Sequence, residues 1–86
     1  MSDTNTAHLL VVDDHRDIRD SLARYLSDHG FRVTTAADGA AARRVLRDHA
    51  PDLVILDVMM PGEDGLSLCR WLRETTALPV ILLTAM

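Results

Sequence analysis

His8-Leu9-Leu10-Val11-Val12-Asp13-Asp14 is a short apolar run that stops on two aspartates. Five residues are too few for a helix, and the run shows no polar alternation. That combination suits a strand buried on both faces of a sheet. The same pattern recurs at Leu53-Val54-Ile55-Leu56-Asp57, again ending on an aspartate. It recurs once more at Val80-Ile81-Leu82-Leu83, set off by Pro79 and followed by Thr84.

Helical spacing fills the intervals. Asp14 is placed to cap a first helix, whose apolar stripe is Ile18, Leu22, Tyr25, Leu26 and His29 and whose stop is Gly30. Phe31 to Thr35 is rich in β-formers and reads as the second strand. Asp38-Gly39 marks a turn. Ala41, Ala42, Val45 and Leu46 form one side of a second helix, with Arg43, Arg44 and Arg47 toward water. Ala50-Pro51 ends it, because proline cannot continue a helix. Val58 to Gly65 reads as a loop, and Leu66, Cys69 and Leu72 mark a third helix. The predicted order is β-α-β-α-β-α-β. Alternation of this kind implies an α/β fold with a doubly wound parallel sheet covered on both faces.

Composition sets outer limits. The chain has 86 residues, enough for one small domain. Apolar residues make up 48% and charged residues 26%, the balance of a globular chain. A net charge of -4 argues against a general nucleic-acid binder. The single cysteine, Cys69, excludes an intrachain disulfide, and no apolar run approaches the roughly 20 residues needed to span a bilayer. Residues 1–6 read as a flexible lead-in without the pattern of a signal peptide, so the expected compartment is the cytoplasm.

The chemistry follows from position. Asp13 and Asp14 follow the first strand, Asp57 ends the third and Thr84 follows the fourth. In a parallel sheet these residues share the carboxyl edge, where ligands bind in such folds. Unit charges about 4 Å apart repel by about 4 kcal/mol at an effective dielectric near 20. Converging carboxylates therefore take up a proton or hold a cation. Hard oxygen ligands favour Mg²⁺, with Ca²⁺ or Mn²⁺ as alternatives. An aspartate beside such an ion can attack phosphorus and form an acyl phosphate, and a Thr84 hydroxyl can hydrogen-bond the new phosphoryl group.

Taken singly, these residues have blander readings. An Asp-Asp pair after a strand reads as a turn and helix cap, Asp57 as an ordinary strand end, and Thr84 as a β-branched strand terminus. Only their joint placement favours a site. Asp38, Asp52 and Asp64 read as turn or cap residues. Of four scattered histidines, His15 is the one near the pocket, and it reads as an exposed first-turn residue rather than a ligand. Cys69 reads as packed, and Trp71, offset from its helix stripe, as a contact residue. No Gly-rich loop ends in Lys-Ser or Lys-Thr, so a P-loop is excluded. Haloacid-dehalogenase-type phosphatases place a second aspartate two residues after the first; here that position is Met59.

Leu10-Val11-Val12-Asp13-Asp14, then Asp57-Val58-Met59-Met60-Pro61-Gly62-Glu63-Asp64-Gly65, then Leu83-Thr84-Ala85, together resemble a response-regulator receiver domain. The segment from Met60 to Leu72 is similar to receivers that precede a winged-helix DNA-binding domain. The resemblance runs from residue 8 onward, with 7–86 as the domain, and implies a flavodoxin-like fold. It implies that Asp57 accepts a phosphoryl group from the phosphohistidine of a sensor histidine kinase. Asp14 and Asp57 would bind Mg²⁺ through side chains, Asp13 through water, and Met59 through its backbone carbonyl. Thr84 would be the switch hydroxyl, Pro61 and Gly65 would shape the adjoining loop, and Met59 and Met86 would flank the entrance. The module would not be an enzyme in the usual sense; it assists its own phosphorylation and controls an effector, with transcription as the expected output. It would contact neither membrane nor, in this portion, nucleic acid.

Family members continue with a helix, a fifth strand carrying a lysine, and a last helix. This chain contains no lysine. The resemblance therefore predicts an incomplete receiver of four strands and three helices, with impaired phosphorylation. It also predicts self-association through the strand-four edge or the uncovered sheet face. A non-phosphorylatable interaction fragment of the same fold is the alternative.

Overall fold

The computed structural model describes residues 6–59 and 65–83. The elements are β1 (His8–Val12), α1 (Arg16–Asp28), β2 (Arg32–Ala36), α2 (Gly39–Asp48), β3 (Leu53–Asp57), α3 (Gly65–Thr75) and β4 (Val80–Leu83). The strands form one parallel sheet in the order β2-β1-β3-β4. This is the doubly wound α/β arrangement that the alternating pattern predicts.

One core carries the fold. Leu10 and Val12 of β1 and Val54 and Leu56 of β3 meet Ala42 of α2 and Leu68 and Leu72 of α3. Strand side chains alternate in direction, so Leu9, Val11 and Ile55 turn to the opposite face, where Leu83 lines a shallow groove together with Ile18 and Leu22 of α1. Both central strands are covered on both faces, which is why their sequences run apolar without alternation.

Local signals set the helix ends. Gly30 adopts φ of 93°, its N–H donates to the Ser27 carbonyl at 3.0 Å, and Phe31 N–H donates to the Leu26 carbonyl at 3.2 Å. This is the paired terminator that a left-handed glycine permits. It moves β2 one residue later than predicted, from Arg32 to Ala36, and leaves Phe31 exposed. The Asp38 carboxylate caps α2 by accepting from Ala41 N–H at 2.8 Å. Asp38→Ala is expected to lower the unfolding free energy by about 1 kcal/mol, read from urea titration; Asp38→Ser should recover most of that.

Four expectations need correction. Asp14 does not cap α1: the N-cap is His15, and the carboxylate that accepts the His15 N–H belongs to Asp13. The α1 stripe is not buried, since Ile18 and Tyr25 are 50% and 60% exposed. Tyr25 instead lies against the His29 ring. The α3 stripe is Gly65, Leu68 and Leu72; Leu66 is exposed and borders Leu82. Finally, the apolar run of β4 is not covered on both faces: Ile81 and Leu82 are exposed, as the expected open strand-four edge implies, because among the described residues β4 is a sheet edge. Arg43 also departs from a purely solvated reading, with its guanidinium 5.0 Å from the Trp71 ring centre, a cation–π contact joining α2 to α3.

His8 is buried in β1. Its Nε2 lies 2.7 Å from Thr34 Oγ1, and its N–H donates to Asp52 Oδ2. Burial foremost, then the positive charges of Arg32 and His49, holds its pKa below 6.5. As pH falls, the unfolded chain thus takes up this proton first. The stability tied to neutral His8 is complete above about pH 6.5 and is lost progressively from there down through the lower folded value. Urea midpoints taken between about pH 7.5 and pH 5.5 should fall less in His8→Gln than in the parent chain. Equal falls would rule His8 out as the cause, because the other histidines are common to both.

Candidate metal and phosphoacceptor site

The register of the sheet builds the site. Val12 pairs with Leu56, so the next residues, Asp13 and Asp57, emerge side by side at the carboxyl edge. Asp13 N–H donates to the Ala36 carbonyl at 3.1 Å, extending the β1–β2 ladder by one residue. Arg19 of α1 donates to the Asp13 carbonyl at 3.0 Å and ties the helix to the strand end. On the other flank, Asp57 pairs with Leu83, and Val58 N–H donates to the Leu83 carbonyl.

Asp13 and Asp57 are buried, at 3% and 6% exposure, and Asp14 is half-buried. Asp57 Oδ1 accepts from Met59 N–H at 2.9 Å. Gly65 closes the adjoining loop, its N–H donating to the Val58 carbonyl. A Cβ at Gly65 would collide with the Asp57 carbonyl oxygen and Val58 Cα. The glycine is thus required by close backbone approach.

His15 converges on the same point. Its Nδ1 lies 3.2 Å from Asp13 Oδ1, 3.2 Å from Asp14 Oδ1 and 3.8 Å from Asp57 Oδ2. The hydrogen bond to Asp13 foremost, then the charge of Asp14, raises the imidazole pKa above 6.5. Ligand atoms of Asp13, Asp14, His15 and Asp57 all lie within 4.8 Å of one another. Asp14 Oδ1 is buried yet accepts no hydrogen bond; its contact with His15 is ionic only. A buried carboxylate oxygen without a donor is costly unless something positive meets it.

The structure therefore brings Asp13, Asp14 and Asp57 together as the strand ends predicted. His15 Nδ1 joins them, and its side chain stays 59% exposed, so the exposed first-turn reading holds for burial and misses only the contact with the carboxylates. The signal was available: His15 follows Asp-Asp directly, where the chain turns from strand to helix. The Met59 backbone sits beside Asp57 through its N–H, and its side chain is exposed. Thr84 and Met86 lie outside the described residues, as does Pro61. The grooves along β4 and the outer side of α1 do not include the carboxylate cluster.

A parallel sheet that gathers aspartates at the carboxyl ends of adjacent strands belongs to the doubly wound α/β class, whose ligands sit beyond that edge. Residues 9–86 match the response regulator receiver domain family, and the chain belongs to that family. Receiver domains are signalling modules of two-component systems, where they meet sensor histidine kinases; they are not enzymes of the ordinary kind.

Similar proteins include protein PetR of Rhodobacter capsulatus, 52% identical over 85 residues, covering 99% of this chain and 36% of PetR. The transcriptional regulatory protein AfsQ1 of Streptomyces coelicolor is 49% identical over 77 residues, covering 90% of this chain and 34% of AfsQ1. The chain thus spans about a third of the length of these curated relatives. Among solved structures, the BeF3-activated N-terminal receiver domain of Klebsiella pneumoniae RstA superposes with a TM-score of 0.86 at 38% identity, over 92% of this chain and 68% of that one. Response regulator TrrA from Thermotoga maritima, in complex with Mg(2+)-BeF, gives a TM-score of 0.89 at 38% identity, over 94% of this chain and 71% of that one. Among the described residues no helix is long and apolar enough to cross a membrane.

Proposed function

We propose that this chain is a phosphoacceptor module that receives a phosphoryl group on Asp57 from a sensor histidine kinase, in an Mg²⁺-dependent reaction, and controls an effector that acts on transcription. The convergence of Asp13, Asp14 and Asp57, with a buried Asp14 oxygen lacking a hydrogen-bond donor, carries this reading. The donor set is largely hard oxygen and fits a divalent cation with room for waters. Asp14 and Asp57 would hold Mg²⁺ by side chains, Asp13 through water, and Met59 by its backbone carbonyl. A bound Mg²⁺ neutralises charge on the transferring group and favours in-line displacement.

The chain's own residues do the rest. An Asp57 carboxylate oxygen attacks phosphorus, forming the acyl phosphate P–O bond. The P–N bond to the donor imidazole breaks, its electron pair stays on that nitrogen, and the donor, already protonated on its other ring nitrogen, leaves as neutral histidine. The Met59 N–H bond to Oδ1 keeps the Asp57 carboxylate oriented. Thr84, which follows β4 in sequence, is the hydroxyl proposed to bond the phosphoryl group and couple the site to a conformational change. Residues 7–86 act as one unit, located in the cytoplasm, with no direct nucleic-acid or membrane contact.

Incubating the full chain with a small phosphodonor and Mg²⁺ should add one phosphoryl group by intact mass, more slowly than in a receiver that carries the lysine, and a chelator should prevent it. A chain that stays at its starting mass under saturating donor would overturn the proposal.

A second reading, assembly through the β4 edge or the adjoining sheet face, is favoured by the exposure of Ile81 and Leu82. Ile18, Leu22 and Leu83 line an apolar groove of about 550 Å³ next to that edge. Sedimentation of the full chain should show concentration-dependent association. A compact monomer at all concentrations would dismiss it.

A further inference from the structure

We infer that Arg19 is a positioning residue for the acidic pocket. Through a hydrogen bond to the Asp13 carbonyl it fixes the strand-to-helix turn that carries Asp14, and so sets how tightly the pocket holds a divalent cation. This rests on the cation-binding reading of Asp13, Asp14 and Asp57 given above.

The turn between β1 and α1 consists of Asp13, Asp14 and His15 alone. Asp14 is its middle residue, and both neighbours are tied down. Asp13 N–H donates to the Ala36 carbonyl at 3.1 Å, while the Asp13 carbonyl accepts from Arg19 Nη1 at 3.0 Å. His15 N–H donates to Asp13 Oδ1 at 2.9 Å, and the His15 carbonyl accepts from Arg19 N–H at 2.9 Å. Arg19 therefore holds both ends of the turn, His15 by its main chain and Asp13 by its side chain. Helix side chains lean toward the helix N-terminus, which is how a first-turn residue of α1 reaches a carbonyl six positions back.

Packing gives this end of α1 little other support. None of its residues is buried, and Ile18 beside Arg19 is 50% exposed. Arg19 itself is half-buried, and a hydrogen bond from a charged donor is stronger than a neutral one. Without it the Asp13–Asp14 peptide is free to rotate, and the Asp14 carboxylate turns with it. Groups that orient a metal ligand typically account for about 10- to 100-fold in affinity. The guanidinium also brings positive charge toward the pocket, which by itself would oppose a cation. Among the described residues it forms no ion pair with the three carboxylates, whereas His15 does. Charge beyond ion-pair distance at a partly solvated site is screened, so positioning decides the sign.

Calorimetric titration of the full chain with Mg²⁺ tests this on the parent, Arg19→Met, Arg19→Lys, Gly30→Ala and Asp57→Asn chains. Arg19→Met removes the donor. It is expected to weaken Mg²⁺ binding about tenfold and to raise by the same factor the Mg²⁺ concentration that half-saturates phosphoryl uptake. Arg19→Lys keeps the charge and a donor and should recover most of the loss. Gly30→Ala strains the far end of the same helix and should lower the urea midpoint with Mg²⁺ affinity unchanged. A loss smaller than about threefold in Arg19→Met, or tighter binding, would overturn the inference and leave Arg19 a structural tie or a competing charge. A matching loss in Gly30→Ala, or no recovery in Arg19→Lys, would also overturn it, by tracing the effect to a loosened α1. Mg²⁺ affinity insensitive to Asp57→Asn would overturn the cation reading and the inference together. Should Arg19→Met fail to fold, Arg19→Gln is read by the same criteria.

Discussion

Asp57→Asn is expected to leave the chain at its starting mass after treatment with a small phosphodonor and Mg²⁺, while the parent chain gains one phosphoryl group. The substitution keeps the shape of the side chain, and its amide oxygen can still accept from Met59 N–H as Asp57 Oδ1 does at 2.9 Å. What it removes is the nucleophile and one negative charge. Two effects of opposite sign should therefore appear in one variant. Phosphoryl acceptance is lost, because an amide oxygen does not attack phosphorus. Stability in metal-free buffer rises, because Asp57 no longer repels Asp13 and Asp14. Two charges about 4 Å apart at an effective dielectric near 20 repel by about 4 kcal/mol. The imidazole of His15 offsets part of this, so a gain on the order of 1 kcal/mol in urea unfolding is expected. Intact mass and urea titration read the two effects separately. A variant that still takes up a phosphoryl group would place the acceptor elsewhere.

Gly65→Ala is expected to cost about 3 kcal/mol or more and to weaken divalent-cation binding. The added methyl meets the carbonyl oxygen of Asp57 and the Cα of Val58. Both are backbone atoms, so no side chain can swing aside. Either α3 is pushed off β3, loosening Leu68 and Leu72 from the core, or the β3 end shifts and takes Asp57 with it. Gly30→Ala separates this from a general effect of glycine replacement. Gly30 has open space around it and only a positive φ to satisfy, so its replacement should cost about 1 kcal/mol and leave cation affinity unchanged. Urea midpoints and Mg²⁺ titration on the two variants make the comparison. Parent-like stability in Gly65→Ala would contradict the close approach at the end of β3.

The order of elements, the parallel sheet and the three converging aspartates were legible in the chain. Each rests on a signal that neighbours in sequence carry: an uninterrupted apolar run ending in aspartate, a helical period, a glycine or proline stop. Leu10, Val12, Val54 and Leu56 are buried because a doubly covered strand must be apolar throughout. The Asp38 cap and the Gly30 terminator are likewise local, since their hydrogen bonds span only a few residues.

What only the tertiary structure decided depends on which surfaces meet. The apolar stripe of α1 has the right period, but Ile18 and Tyr25 remain exposed, since burial depends on what lies opposite and periodicity does not report that. The α3 stripe was misplaced by the same ambiguity: Leu66 and Leu68 lie two residues apart on different sides of a helix, and the sheet selects Leu68. His15 is the clearest instance. In sequence it is one polar residue at a helix start. In space the parallel register sets Asp57, far along the chain, 3.8 Å from its Nδ1, while the ring itself stays more than half exposed. Local pattern determines the secondary structure and the sheet edge at which the carboxylates emerge. Long-range packing determines which atoms share the pocket, because electrostatic contact depends on distance in space and not along the chain.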